Sequence, residues 1–133
     1  RGIIQGVRVD EGGVQCTRTP TFSGCPALEV MERDIRAALS AAGIPNVDVI
    51  QQFDPPWTSD WITEAGREKL KQIGLAPPHH HGGDFLNVLI DPVACPYCDS
   101  NQTTLKNSFG PTPCRMIYYC NNCQQPFEQF KPL

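Results

Sequence analysis

Four cysteines, Cys95 and Cys98 in CPYC and Cys120 and Cys123 in CNNC, are the residues whose type and spacing point most directly to chemistry. Each pair has the two-residue spacing of a metal-binding knuckle, and 21 residues separate the pairs. That gap lies just above the usual ribbon range of about 15–20 residues. A C-x-x-C turn presents two thiolates on one side. Two such turns facing each other form a tetrahedral tetrathiolate cage for Zn²⁺. The same ligands suit an iron–sulfur cluster. Two disulfides are the third outcome, and such bonds are rare in reducing compartments. The segment carries few apolar residues, so ion binding is expected to supply much of its folding free energy.

Cys25, in Ser23-Gly24-Cys25-Pro26, is a candidate of another kind. It precedes a predicted helix, whose free N–H groups and dipole favour a thiolate. That makes it a candidate reactive or metal-transfer residue. The alternative is a buried structural cysteine, because free Cys is among the most buried residue types. Cys16 reads as a packing residue on the same grounds. Cys114 is either a fifth thiol near the metal or, as we expect, part of the ribbon's buried sheet. His79, His80 and His81 are adjacent in a Pro/Gly-rich stretch and have no preorganised geometry, so they are expected to be solvated linker.

The elements that must position these groups follow from pattern. Ile3–Val9 and Val14–Thr19 flank the turn Asp10-Glu11-Gly12-Gly13 and predict a hairpin. Pro26 suits a helix's first position. Leu28, Met31, Ile35, Ala38, Leu39 and Ala42 then follow helical spacing, with Glu29, Glu32, Arg33 and Arg36 facing out, and Gly43 closes the helix. Val47–Phe53 reads as a third strand. A second helix is expected from an Asp60 cap to about Ile73, closed by Gly74. Phe85–Ile90 reads as a short strand or an extended tether. The expected class is α+β: a small sheet of about three strands packed with two helices over residues 1–75, a linker over 76–91, and a zinc ribbon over 92–133.

Composition narrows the function. The chain has 133 residues, 40% hydrophobic and 19% charged, which fits one modest domain with a small appendage. No apolar run approaches the about 20 residues that a membrane helix needs. Seven cysteines, four of them in metal spacing, favour a reducing cytoplasm over secretion. The net charge is −3, and residues 92–133 hold three basic and two acidic side chains. That is a poor cationic supply for stacking bases on the ribbon's aromatics, so no nucleic-acid partner is expected. No Ser/His/Asp set, phosphate loop or paired carboxylates stand at recognisable spacing, and no independent catalytic activity is expected.

Two longer motifs extend this reading. Thr19–Pro26 (TPTFSGCP) and Phe53–Trp61 (FDPPWTSDW) resemble the small domain of SufT-type iron–sulfur assembly proteins. The ribbon, with Phe109–Cys114 (FGPTPC) and Pro126–Lys131 (PFEQFK), is similar to PaaD-type accessory subunits of bacterial phenylacetyl-CoA epoxidase. The resemblance runs from Gly2 to Lys131. It implies a cytoplasmic helper in phenylacetate catabolism, assisting maturation of iron or iron–sulfur centres in an NADPH- and O₂-dependent enzyme. Its implied partners are the epoxidase subunits or the iron–sulfur assembly machinery. A docking module is one alternative, and an electron-transfer subunit holding a cluster on the four cysteines is another. The relatives carry an N-terminal helix and an Asp-Pro-Glu motif before the first strand, and neither is present here. The chain starts at Arg1 rather than Met, which suggests a missing N-terminal segment. An uncovered sheet would then pair with a partner or with a second copy.

Overall fold

The computed structural model describes residues 2–22, 24–84 and 91–133. The expected strand or tether at 85–90 therefore lies outside the described residues, as does Ser23. The chain forms two compact units, Gly2–Trp57 and Thr58–Leu133.

The first unit holds β1 (Ile4–Asp10), β2 (Gly13–Arg18), α1 (Ala27–Ala41) and β3 (Val47–Gln51). The predicted hairpin is present: β1 and β2 pair antiparallel, and β2 pairs parallel with β3. A right-handed crossover is the usual solution for such a parallel pair, and α1 supplies the connection. The period of two along β2 buries Val14, Cys16 and Arg18. Arg18 anchors α1 over this strand, donating to the Leu28 carbonyl at 2.5 Å and the Glu32 carboxylate at 3.2 Å. Glu32, expected to face out, is thus turned inward to meet a buried cation. Leu28, Met31, Ile35 and Leu39 are half-buried, whereas Ala38 and Ala42 are exposed, so the apolar stripe is narrower than the sequence pattern. The helix ends as predicted: Gly43 takes φ 84°, donates to Ser40, and Ile44 donates to Leu39, the paired bonds of a Schellman motif. Every residue of β1 is exposed.

The second unit begins earlier than expected. It contains a 3₁₀ turn at Ser59–Trp61, α2 (Glu64–Gln72), β4 (Leu75–Ala76), β5 (Thr103–Asn107), β6 (Arg115–Cys120) and β7 (Pro126–Phe130). The sheet runs β4-β7-β6-β5, with β4 parallel to β7 and the other pairs antiparallel. The second helix therefore belongs with the ribbon and not with residues 1–57. Its cap is Thr63, whose hydroxyl accepts from Gly66 at 3.1 Å; Asp60, the expected cap, accepts instead from the backbone of His81 and Gly82. Gly74 closes the helix with φ 76°.

The stretch expected to be a solvated linker is built into this unit. Ala76 is 1% exposed, Pro78 is buried, and the His81 side chain is 3% exposed. Its Nδ1 accepts from Gly83 N–H at 3.0 Å, which leaves Nε2 to donate to the Leu133 oxygen at 3.0 Å. Buried Arg67 donates to the carbonyls of Ile62, Ser59 and Pro78. A guanidinium satisfied by several carbonyls fixes the path of a loop that composition alone marks as flexible.

Candidate metal centre

The two cysteine pairs sit on knuckles of matching backbone. In the first, Cys95 N–H donates to the Ser100 carbonyl at 3.0 Å, and Asp99 N–H returns to the Cys95 carbonyl at 2.9 Å. In the second, Cys120 N–H donates to Gln125 at 2.9 Å, and Gln124 N–H returns to Cys120 at 3.0 Å. Asp99 and Gln124, each one residue past the second cysteine, both adopt left-handed backbone, φ 58° and 61°. Neither is glycine, so no residue type marks this conformation in advance. The first knuckle precedes β5, and the second is the turn joining β6 to β7, whose antiparallel register sets Tyr118 opposite Phe127. Those two rings stack at 5.7 Å beneath the site.

All four ligand sulfurs lie within 4.8 Å of one another. Cys95 Sγ is 3.7 Å from Cys123 Sγ, and Cys98 Sγ is 3.6 Å from Cys120 Sγ. All the cysteines are free, and these separations far exceed the about 2.05 Å of a disulfide. Four thiolates at about 2.3 Å from one tetrahedral ion stand about 3.8 Å apart, so the sulfurs fit a single bound ion. Cys95 and Cys120 are fully buried, while Cys98 and Cys123 are partly exposed.

The site is prepared for negative charge at one sulfur and resists it at others. The Ser100 backbone N–H and the Asn122 side chain hold the Cys98 thiol pKa down to about 6. Burial, with the neighbouring sulfurs, pushes that of Cys123 up to about 12. Burial also raises Cys95, against backbone N–H groups of Tyr97 and Cys98. A divalent ion deprotonates coordinating thiols outright and removes this conflict.

The other candidates fall elsewhere. Cys114 is not in the sulfur cluster and not in the buried sheet. It is partly exposed just before β6, its sulfur 3.2 Å from the Thr112 hydroxyl and its carbonyl accepting from Lys131 N–H at 2.9 Å, at the end of the ladder and not within its buried part. Cys16 is buried in β2 as expected. Cys25 stands ahead of α1, partly exposed, with its carbonyl accepting from Leu28 N–H at 3.2 Å. The histidines are not metal ligands in a preformed cluster; among the described residues the four cysteines form the one group of that kind.

Comparison with known proteins follows the same division. Residues 85–131 match the PaaD zinc beta ribbon domain, and residues 1–51 match a family described as iron-sulfur cluster assembly protein. Over 114 residues the chain is 44% identical to a putative 1,2-phenylacetyl-CoA epoxidase subunit of Escherichia coli, covering 85% of this chain and 67% of that protein. The chain belongs to the PaaD family. It is also 32% identical over 76 residues to an Fe-S protein maturation auxiliary factor of Porphyromonas gingivalis, covering 56% of this chain and 70% of the relative. A crystal structure of a domain of unknown function from Bacillus anthracis aligns with a TM-score of 0.49 and 25% identity, over 52% of this chain and 68% of that one. The PaaD ribbon match supplies the fold for which knuckle spacing was the sequence signal, and the sulfur cluster makes it a metal-binding fold. Among the described residues no helix is long and apolar enough to cross a membrane.

Proposed function

We propose that this chain is an accessory protein of a phenylacetyl-CoA epoxidase, acting in the cytoplasm to assist maturation of that enzyme's iron or iron–sulfur centres. The observation that carries this reading is the union, in one chain, of an iron–sulfur-assembly match with a PaaD ribbon whose four sulfurs have single-ion spacing. The names of the two relatives, an epoxidase subunit and a maturation factor, support the same pairing.

The ion proposed for the ribbon is one Zn²⁺ on Cys95, Cys98, Cys120 and Cys123. A polynuclear cluster spreads its thiolates around several iron atoms, and sulfurs within 4.8 Å favour one ion instead. Four protein thiolates close a tetrahedral shell and leave no position for substrate, which is the pattern of a structural site. Metal handling, in this reading, belongs to the other unit, where Cys25 is partly exposed beside the start of α1.

The test is to purify the epoxidase from cells with and without this chain and to measure iron and sulfide per subunit. Maturation predicts under-metallated enzyme in its absence, restored by the wild-type chain and not by Cys25→Ser. Full metallation without the chain would overturn the maturation role and leave docking within the complex.

A further inference from the structure

Residues 52–84 lie between the two family matches and are covered by neither. We infer that part of this stretch, from α2 through Gly74 to β4, is a clasp on the first cysteine knuckle that sets how tightly the ion is held. The inference rests on the reading that the four cysteines bind an ion.

Three contacts make the clasp. First, Ala76, 1% exposed in β4, is a member of the buried cluster that contains Cys95, Cys120, Val93 and Phe127. Second, Gly74 faces Tyr97, the residue inside the CPYC knuckle. A Cβ at position 74 would come to 2.6 Å from the Tyr97 hydroxyl and 3.2 Å from its ring. The Tyr97 ring is 58% exposed and can turn aside, so the firmer obstacle to a side chain at position 74 is the backbone, with φ 76°. Third, the Lys71 ammonium on α2 pairs with the carboxylate of Asp99, next to Cys98. That pair is largely exposed, so it is the weakest of the three.

The consequence follows from how ligand sites are held. Thiolates bind tightly when their backbone is fixed before the ion arrives, and groups that only orient ligands commonly change metal affinity by about 10–100-fold. Here the first knuckle is fixed on one side by β5 and β6 and on the other by the clasp. Gly74, Ala76 and Lys71 are therefore positioning residues for the metal, though none can ligate it. Because β4 pairs with β7 and α2 leads directly into it, ordering of α2 and ion binding form one cooperative event.

The experiment uses the whole zinc-loaded chain. Metal content is measured first, and zinc transfer to a chromophoric chelator is then followed for wild type, Gly74→Val, Lys71→Met and a control, Val14→Ala, in the core of the other unit. Gly74→Val is expected to lose zinc at least about tenfold more readily, Lys71→Met by less than about threefold, and the control at the wild-type rate. In parallel, hydrogen exchange on the wild-type chain before and after chelation should show protection of residues 64–76 lost together with that of the knuckles. A Gly74→Val protein with wild-type zinc affinity, or stripped wild-type protein that keeps protection at 64–76, would overturn the clasp while leaving the ion assignment standing. If Gly74→Val fails to fold, the exchange measurement on the wild-type chain decides alone.

Discussion

The Asp60 carboxylate receives the backbone N–H of His81 at 3.0 Å through one oxygen and that of Gly82 at 2.8 Å through the other. One side chain thereby ties the 3₁₀ turn that precedes α2 to the loop that follows β4. Burial on its own would raise the Asp60 pKa. The two backbone N–H donors outweigh it and hold the group below its ordinary value.

The sign of the pH dependence follows. A carboxyl group depressed by folding stabilises the native state above its unfolded pKa of about 3.9 and loses that contribution as pH falls through the lower folded value. We expect Asp60→Asn to cost about 1.5–3 kcal/mol at neutral pH, the range for hydrogen bonds to a charged group. The gap between variant and wild type should close as pH drops below about 4. Denaturant unfolding of both proteins across that range checks it, and a gap independent of pH would refute the ionised-acceptor account.

Replacing Cys98 by Ser should abolish high-affinity metal binding and unfold more than the ribbon strands. The unit boundary at Trp57/Thr58 places α2 and β4 with the metal site. Loss of amide protection is expected over 64–76 and 95–130, with protection in β2 and β3 retained. Protection that survives in α2 would return that helix to an independent role.

Purified protein should carry about one zinc per chain and show no visible absorption band, as expected of a d¹⁰ ion on four thiolates. Elemental analysis of protein prepared without oxygen is the measurement. Stoichiometric iron and sulfide with no zinc would move the site into the electron-transfer class.

Among the cysteines outside the cluster, Cys25 should alkylate readily in the folded, zinc-loaded chain, and Cys16 only after unfolding. The former is partly exposed and the latter 3% exposed within β2. Mass spectrometry after timed labelling separates them. Slow labelling of Cys25 would remove the accessible thiol on which metal handling by the first unit depends.

Local signals carried much of this fold. The turn Asp10–Gly13, the helical spacing from Leu28 to Leu39 and the closing Gly43 are each decided within a few residues, and all three stand in the structure. The four cysteines marked by the knuckle spacing also lie together, their sulfurs within 4.8 Å of one another. What was not legible depended on distant partners. Leu75–Ala76 is too short to show a period of two, yet its pairing with Glu128 and Gln129 decides where α2 belongs. Pro77, Pro78, Gly82 and Gly83 read as a linker because composition cannot reveal Asp60 and Arg67 waiting to bind that backbone. Asp60 was a plausible helix cap by type, but its two acceptors were already engaged across the loop.

The parallel pairing of β4 with β7 also bears on how the chain is made. A ribosome delivers α2 well before Glu128 and Gln129, and a nine-residue helix is too short to persist in water without its docking surface. The first knuckle is likewise made before the strand that completes its sheet. The Thr58–Leu133 unit can close only when β7 arrives, so its helix, its first knuckle and its last strand must come together after that strand is made and not in chain order.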